Sequence, residues 1–286
     1  MKNTYQISLK EISPEGLHEM FLALQRGFQV FGIDFFLLGA FARDIWTTHL
    51  NNIRTQRATK DIDLAILVSN NEEYDNLINY LVENENFTTT KNKFCLLFKQ
   101  RIQVDIIPFG EIENTENYDV WNKVNNFRTI STLGLQEAYQ NSSIISTENN
   151  LEFKATSLEA IVVLKLISWN DRPEHRQKDA TDLAFILENY FEIMSNEIFN
   201  EHHDLMPDGD NLDTNIWAAK VLGRLITPIF AENEILKTQI IQILTIQTTN
   251  KISNLATAMM NDSEEYEKCV LLLKAILEGI KDKINN

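Results

Sequence analysis

Apolar positions fall into two regimes: short runs bounded by turns before Gly110, and helical periodicity after Thr156. A helix opens where Ser13 supplies an N-cap, Pro14 a first-turn proline and Glu15 an early acid, and it runs towards Val30. Phe35–Leu38 is a short apolar run ending at Gly39, a buried strand feeding a turn, and Ala40–Leu50 then has helical character. Asp61–Val68 (DIDLAILV) and Gln103–Pro108 (QVDIIP) are β-rich, Phe94–Phe98 is a third such run, and the polar Asn71–Asn86 between them is helical. This alternation indicates an α/β core.

Beyond Gly110, Asn114–Asn126 is polar and acidic, and Ser142–Asn150 reads as a loop or hairpin tip. Thr156 and Glu159 form a capping box ahead of a helix over Leu158–Trp169. Further helices are expected over Asp179–Phe191, Ile216–Ile226, Glu234–Thr248 and Glu264–Asn285, with Pro228 closing the second of these. Glu201–Thr214, with Pro207, Gly209 and five acids, is the clearest linker. The expected organisation is an α/β domain over 1–150 and a helical domain over 151–286.

Composition narrows this picture. Of 286 residues, 44% are hydrophobic and 23% charged, which is ordinary globular usage, and only 9 Gly and 5 Pro argue against an all-β chain. The longest apolar stretches, Phe31–Ala42 and Leu158–Trp169, carry Asp34 and Lys165 and stop well short of the roughly 20 residues of a membrane span. Met1–Lys10 shows no apolar signal-peptide core, and Cys95 and Cys269 cannot make a disulfide framework, so a reducing cytoplasm is expected. With 26 Lys and Arg against 41 Asp and Glu the net charge is −15, so nucleic acid must be met by a local basic patch.

The candidate chemistry is concentrated in carboxylates. On a strand, Asp61 and Asp63 share one face, about 7 Å apart, while Ile62, Leu64 and Ile66 share the other. In Arg101–Ile107, Asp105 likewise points away from the face of Ile102, Val104 and Ile106. If the strands are neighbours, three carboxylates converge, a costly arrangement unless a cation sits among them. Such a trio suits two-metal phosphoryl transfer with Mg²⁺. Upstream, the turn at Gly39-Ala40 opens a helix and offers backbone N–H groups to an anion. Arg54, Arg57 and Lys60 are either neutralising cations for phosphate or a solvated loop face.

In the helical half, Lys165 lies within an apolar stripe of Ile161, Val162 and Trp169, so its ammonium needs an anion or a route to water along its stem. A methionine there would keep the packing without loss of stability. Asp179 and Asp182, at i and i+3, share a helix side with Ile186 and face inwards. His202-His203 with Asp204, Asp208 and Asp210 sits in the acidic linker, where adjacent histidines rarely converge on one ion. Cys95 reads as core.

A strand, a Gly-small turn, a helix, an Asp-x-Asp strand and a later single-Asp strand resemble the polymerase-β-like nucleotidyltransferase fold. Gly39-Ala40-Phe41-Ala42-Arg43-Asp44 resembles the Gly-Gly-x-x-Arg-Asp turn of tRNA CCA-adding enzymes. Arg57-Ala58-Thr59-Lys60-Asp61-Ile62-Asp63-Leu64 is similar to the Arg-x-Thr-x-Asp-Ile-Asp-Leu block of AbiEii-type nucleotidyltransferases, toxins of phage-defence and toxin–antitoxin systems. The helical half is similar too, with Lys165, the basic loop of Arg172 and Arg176, and Lys178-Asp179-Ala180-Thr181-Asp182-Leu183. The chain departs from the pattern at Ala40, where a Gly or Ser is usual, and in the 20 residues between Ala40 and Asp61.

The resemblance implies an α+β fold, a small mixed sheet flanked by helices and followed by a helical domain. It implies a transferase that moves a nucleoside monophosphate from an NTP to an acceptor hydroxyl, tRNA first, with an antitoxin as partner. Asp61, Asp63 and Asp105 would hold two Mg²⁺ ions, with Asp105 activating the hydroxyl. Gly39, Ala40, Arg43, Arg57, Lys60, Lys165 and Asp179 would meet the nucleotide, and Asp182 or Asp179 would orient it. Transfer to a small cationic acceptor such as an aminoglycoside, and a degenerate fold kept as a binding module, remain as alternatives.

Overall fold

The computed structural model describes residues 4–9, 15–55, 61–113, 119–122, 128–207 and 212–285. The chain forms two compact units, Met1–Ser157 and Leu158–Asn286.

The first unit is built on an eight-stranded mixed sheet. Its elements are β1 (Thr4–Ile7), α1 (Leu17–Phe31), β2 (Phe35–Leu37), α2 (Gly39–Asp44, continued by a π-helical turn over Ile45–His49), β3 (Asp61–Leu67), α3 (Asn71–Asn84), β4 (Phe87–Thr89), β5 (Cys95–Phe98) and β6 (Ile102–Phe109). A two-stranded ribbon follows, β7 (Asp119–Asn122) with β8 (Arg128–Ser131), then α4 (Leu135–Gln140), β9 (Ser143–Thr147) and β10 (Glu152–Ala155). The strand order is β1-β9-β10-β2-β3-β6-β5-β4, with β3 and β6 parallel at the centre. Burial alternates along both central strands: Ile62, Leu64, Val104 and Ile106 are fully buried, while Asp61, Asp63, Gln103 and Asp105 are half-buried on the opposite face. Ile66 is also buried, on that same apolar face.

Four expectations are corrected here. Within Ser142–Asn150, Ser143–Thr147 is a strand that pairs antiparallel with β10 and parallel with β1, whose residues lie far back in sequence, and only the turn that follows it is a hairpin tip. The unit therefore ends at Ser157 and not at 150, since β10 belongs to the sheet through its pairing with β2. The first helix starts at Leu17, after Gly16 in a left-handed conformation (φ 97°), while Ser13 and Pro14 lie outside the described residues. The capping box does not form: Thr156 donates its hydroxyl to the Leu37 carbonyl at 2.6 Å, and Glu159 accepts from the Tyr190 hydroxyl at 2.6 Å.

The second unit is helical: α5 (Leu158–Asp171), α6 (Gln177–Glu201), α7 (Thr214–Ile226), α8 (Glu234–Thr249), α9 (Asn254–Met259) and α10 (Tyr266–Asn285). Pro228 sits in a short 3₁₀ turn over Thr227–Phe230. Helix α5 is buried on nearly every side, from Leu158 to Trp169, and packs against α6, α7 and α8. Helices α7 and α10 approach so closely that a Cβ at Gly223 would lie 2.1 Å from the Ile276 carbonyl oxygen, and one at Gly279 would lie 1.9 Å from that of Lys220. Among the described residues, no helix is long and apolar enough to cross a membrane.

Candidate active site

Strand β2 ends against β3, where the Leu38 amide donates to the Asp63 carbonyl at 2.9 Å. The chain then turns through Gly39 at φ +65°, a conformation that L side chains rarely adopt. A Cβ there would stand 2.1 Å from Asp63 Oδ2, so glycine is required by its backbone and by the carboxylate beside it. Gly39→Ala is therefore expected to lower the melting temperature, read by thermal unfolding, and an unchanged melting temperature would show that the turn tolerates a Cβ.

The register of β3 on β6 sets Asp63 directly beside Asp105 and Asp61 beside Gln103. The three carboxylates thus occupy one face of two neighbouring strands, because period-2 alternation puts their apolar neighbours into the core. Burial holds the Asp105 carboxyl above the ordinary range, the Asp61 charge adds to this, and hydrogen bonds from Cys95 and Gln103 pull it back. Gln103 Nε2 lies 3.3 Å from both Asp105 oxygens. Cys95, which the sequence presents only as core, is opposite Asp105 on β5, with its thiol pushed up to about 11, chiefly by burial. A period-2 reading of β5 alone shows which face Cys95 takes, but the antiparallel pairing decides that Asp105 is its neighbour.

The other candidates are placed differently. Arg43 is 4% exposed, and its guanidinium is committed to Asp44 at 2.5–2.8 Å within the buried face of α2. Ala40 follows Gly39 in the first turn of α2. Arg54 is exposed, while Arg57 and Lys60 lie outside the described residues.

In the helical unit, Lys165 is 6% exposed and donates to Asp182 Oδ2 at 2.6 Å and to Asp179 Oδ1 at 3.1 Å. The anion that the sequence demands for this lysine is thus a pair of carboxylates one helical turn apart on α6, and Arg176 adds a contact to Asp179 at 3.6 Å. In the linker, Asp204 pairs with Arg224 at 2.6 Å, and Asp208 and Asp210 lie outside the described residues. The liganding atoms of Glu197, Glu201 and His202 come within 4.8 Å of one another at the end of α6.

A family model described as nucleotidyl transferase AbiEii toxin, Type IV TA system, matches residues 23–229, which is most of the chain. The chain belongs to the AbiEii nucleotidyl transferase family. It is accordingly a nucleotidyltransferase, and residues 23–229 include Gly39, all three carboxylates of the sheet and the lysine trio of the helical unit. No curated protein matches the AbiEii-family chain in sequence. Among solved structures, it is similar to the antibiotic-resistance factor ANT(2'')-Ia at 13% identity and a TM-score of 0.35, covering 67% of this chain and 98% of that one. It is similar to a CCA-adding enzyme in complex with ATP at 10% identity and a TM-score of 0.32, covering 90% of this chain and 66% of that one. The Thermotoga maritima CCA-adding enzyme complexed with tRNA follows at 11% identity and a TM-score of 0.25, covering 96% of this chain and 83% of that one.

Proposed function

We propose that this AbiEii-family chain is a Mg²⁺-dependent enzyme that moves a nucleoside monophosphate from an NTP to the 3′ end of tRNA, as a toxin checked by an antitoxin. The observation that carries the reading is the register pair Asp63–Asp105 with Asp61 on the same strand face. The donor set fits a hard divalent ion, because the sheet face offers the carboxylate oxygens of Asp61, Asp63 and Asp105. Asp61, Asp63 and Asp105 would hold Mg²⁺, which when bound neutralises triphosphate charge and favours attack by the hydroxyl.

The chain's own groups do the remainder. Asp105, set beside Asp63 on the same strand face, is the carboxylate that takes the acceptor's hydroxyl proton, as the family resemblance implies. The glycine turn admits the phosphates past Asp63, where a side chain would block them. We assign Lys165, Asp179 and Asp182 to the nucleotide as the family resemblance implies. The ammonium carries three N–H donors, and the two aspartates accept two of them. Catalysis is then positioning and charge neutralisation.

At −15, the chain is expected to hold free RNA weakly, reading one exposed 3′ end and not coating a duplex. Incubation with each α-labelled NTP, Mg²⁺ and either tRNA or a panel of small cationic acceptors tests the reading. Label is expected on tRNA, blocked by prior periodate oxidation of its 3′ diol. The acidic surface favours a cationic small molecule as the rival acceptor, and label confined to such a molecule overturns the tRNA assignment.

A further inference from the structure

We propose that the outer face of α8 is the contact through which two copies of this chain pair, with their α8 helices antiparallel about a two-fold axis. This pairing goes beyond the transfer reaction and does not depend on it.

Helix α8 buries Leu236, Ile240, Ile243 and Leu244, and it packs against α5, α9 and α10. Its outer side carries Ile235, Gln239, Gln242 and Ile246, whose spacings of four, three and four set them in one narrow stripe. Ile235 is 54% exposed and Ile246 41%, and Ile252, just beyond the helix, is 65% exposed. Gln242 is exposed between them, and Gln239 is half-buried. Thr238–Asn250 contains no charged residue, in a chain of which 23% is charged. The charges of the first turn, Glu234 and Lys237, pair with each other at 3.0 Å. Exposed apolar side chains grouped on a neutral face mark a contact surface.

Three features make a second copy the occupant. The stripe is a palindrome, because Ile-Gln-Gln-Ile reads the same from either end with the same spacings. A two-fold contact requires a surface complementary to itself, where residue i meets j and j meets i. Two antiparallel α8 helices satisfy this, with Ile235 of each copy on Ile246 of the other. Gln239 then lies beside Gln242, and their amides both donate and accept. A different protein has no need of that symmetry. Charge is the second feature: copies at −15 repel one another, and a face without charge is where they approach at least cost. The third lies at the helix ends. Exposed Glu232 stands two residues before α8 and exposed Lys251 two residues after it. Antiparallel helices bring the acid of one copy towards the base of the other at both ends, whereas parallel helices would set like charges together.

A pair of helices of 16 residues each is about 24 Å long and makes a small interface, so the pairing is read by sedimentation velocity of the full chain from about 1 to about 100 µM. The mass is expected to rise with concentration from 33.1 kDa towards twice that value. Ile235→Glu and Ile246→Lys are each expected to weaken the dimer at least about tenfold, since each places a lone charge against isoleucine. Melting temperatures are expected to hold, because both positions lie outside the core. The double variant Ile235→Glu, Ile246→Lys sets opposite charges face to face, and its dimer is expected to return to within about threefold of wild type. Should a single variant lose its fold, Gln242→Lys makes the same comparison at an exposed position, by bringing two ammonium groups together near the axis. A chain that stays monomeric at every concentration, a dimer indifferent to the single variants, or a double variant no tighter than the singles overturns the pairing.

Discussion

Asp63→Ala is expected to lower nucleotidyl transfer by at least about 10³-fold, with Asp61→Ala close behind, while both variants fold. The reason lies in where the carboxylates stand. Asp63 abuts Asp105 in register, and its Oδ2 fills the space that a Cβ on Gly39 would take. It is thus the point at which the sheet's negative face meets the glycine turn. Removing one of three like charges relieves repulsion in the metal-free protein, so the melting temperature is expected to hold or to rise slightly. Label transfer and thermal unfolding on the same preparations check both halves. In cells, toxicity on expression is expected to disappear with Asp63→Ala. Transfer near the wild-type rate in either variant would remove the sheet carboxylates from the mechanism altogether.

Lys165→Met is expected to cost about 3–5 kcal/mol of stability, the loss typical of a buried ion pair broken from one side. The sequence, read alone, leads to the opposite expectation, because methionine preserves the stem's packing on an apolar stripe. The structure reverses it. Asp179 and Asp182, whose side chains are 15% and 14% exposed, both accept from the Lys165 ammonium, and the substitution strands two adjacent carboxylates in a low-dielectric place. Urea unfolding measures the loss. The triple variant Lys165→Met, Asp179→Asn, Asp182→Asn is expected to recover much of it, since no buried charge is then left uncompensated. A single variant as stable as wild type would mean that the trio contributes nothing to the fold. Calorimetry with NTP·Mg²⁺ reads the separate question of whether the ammonium also binds phosphate.

Other parts of the candidate site divide along the same line. Arg43 belongs to a motif that the family resemblance connects with nucleotide, and in the fold its guanidinium donates to Asp44 within the buried face of α2. Thr156 and Glu159 have the spacing of a capping box, but the Leu37 carbonyl and the Tyr190 hydroxyl are better placed partners than the backbone amides of a helix start. Ser143–Thr147 looks like part of a loop because only Ile144 and Ile145 are apolar between Ser, Thr and Asn residues, and it becomes a strand because β1 and β10 hold it on both sides.

Sequence by itself determined the properties that depend on near neighbours. Alternation of side chains along a strand has a fixed period, so DIDLAILV and QVDIIP already declare that Asp61, Asp63 and Asp105 leave the core by one face of their strands. Helical periodicity likewise declares that Lys165, Asp179 and Asp182 point inwards. Which of these faces meet is another matter. Nothing local tells β3 to lie parallel to β6 with Asp63 beside Asp105, or β5 to bring Cys95 to the same carboxylate. Nor does it tell α6 to deliver two aspartates to one lysine of α5. Those choices are made between segments far apart in sequence, where the loss of loop entropy and the burial of whole faces are settled together, and only the tertiary structure decides them.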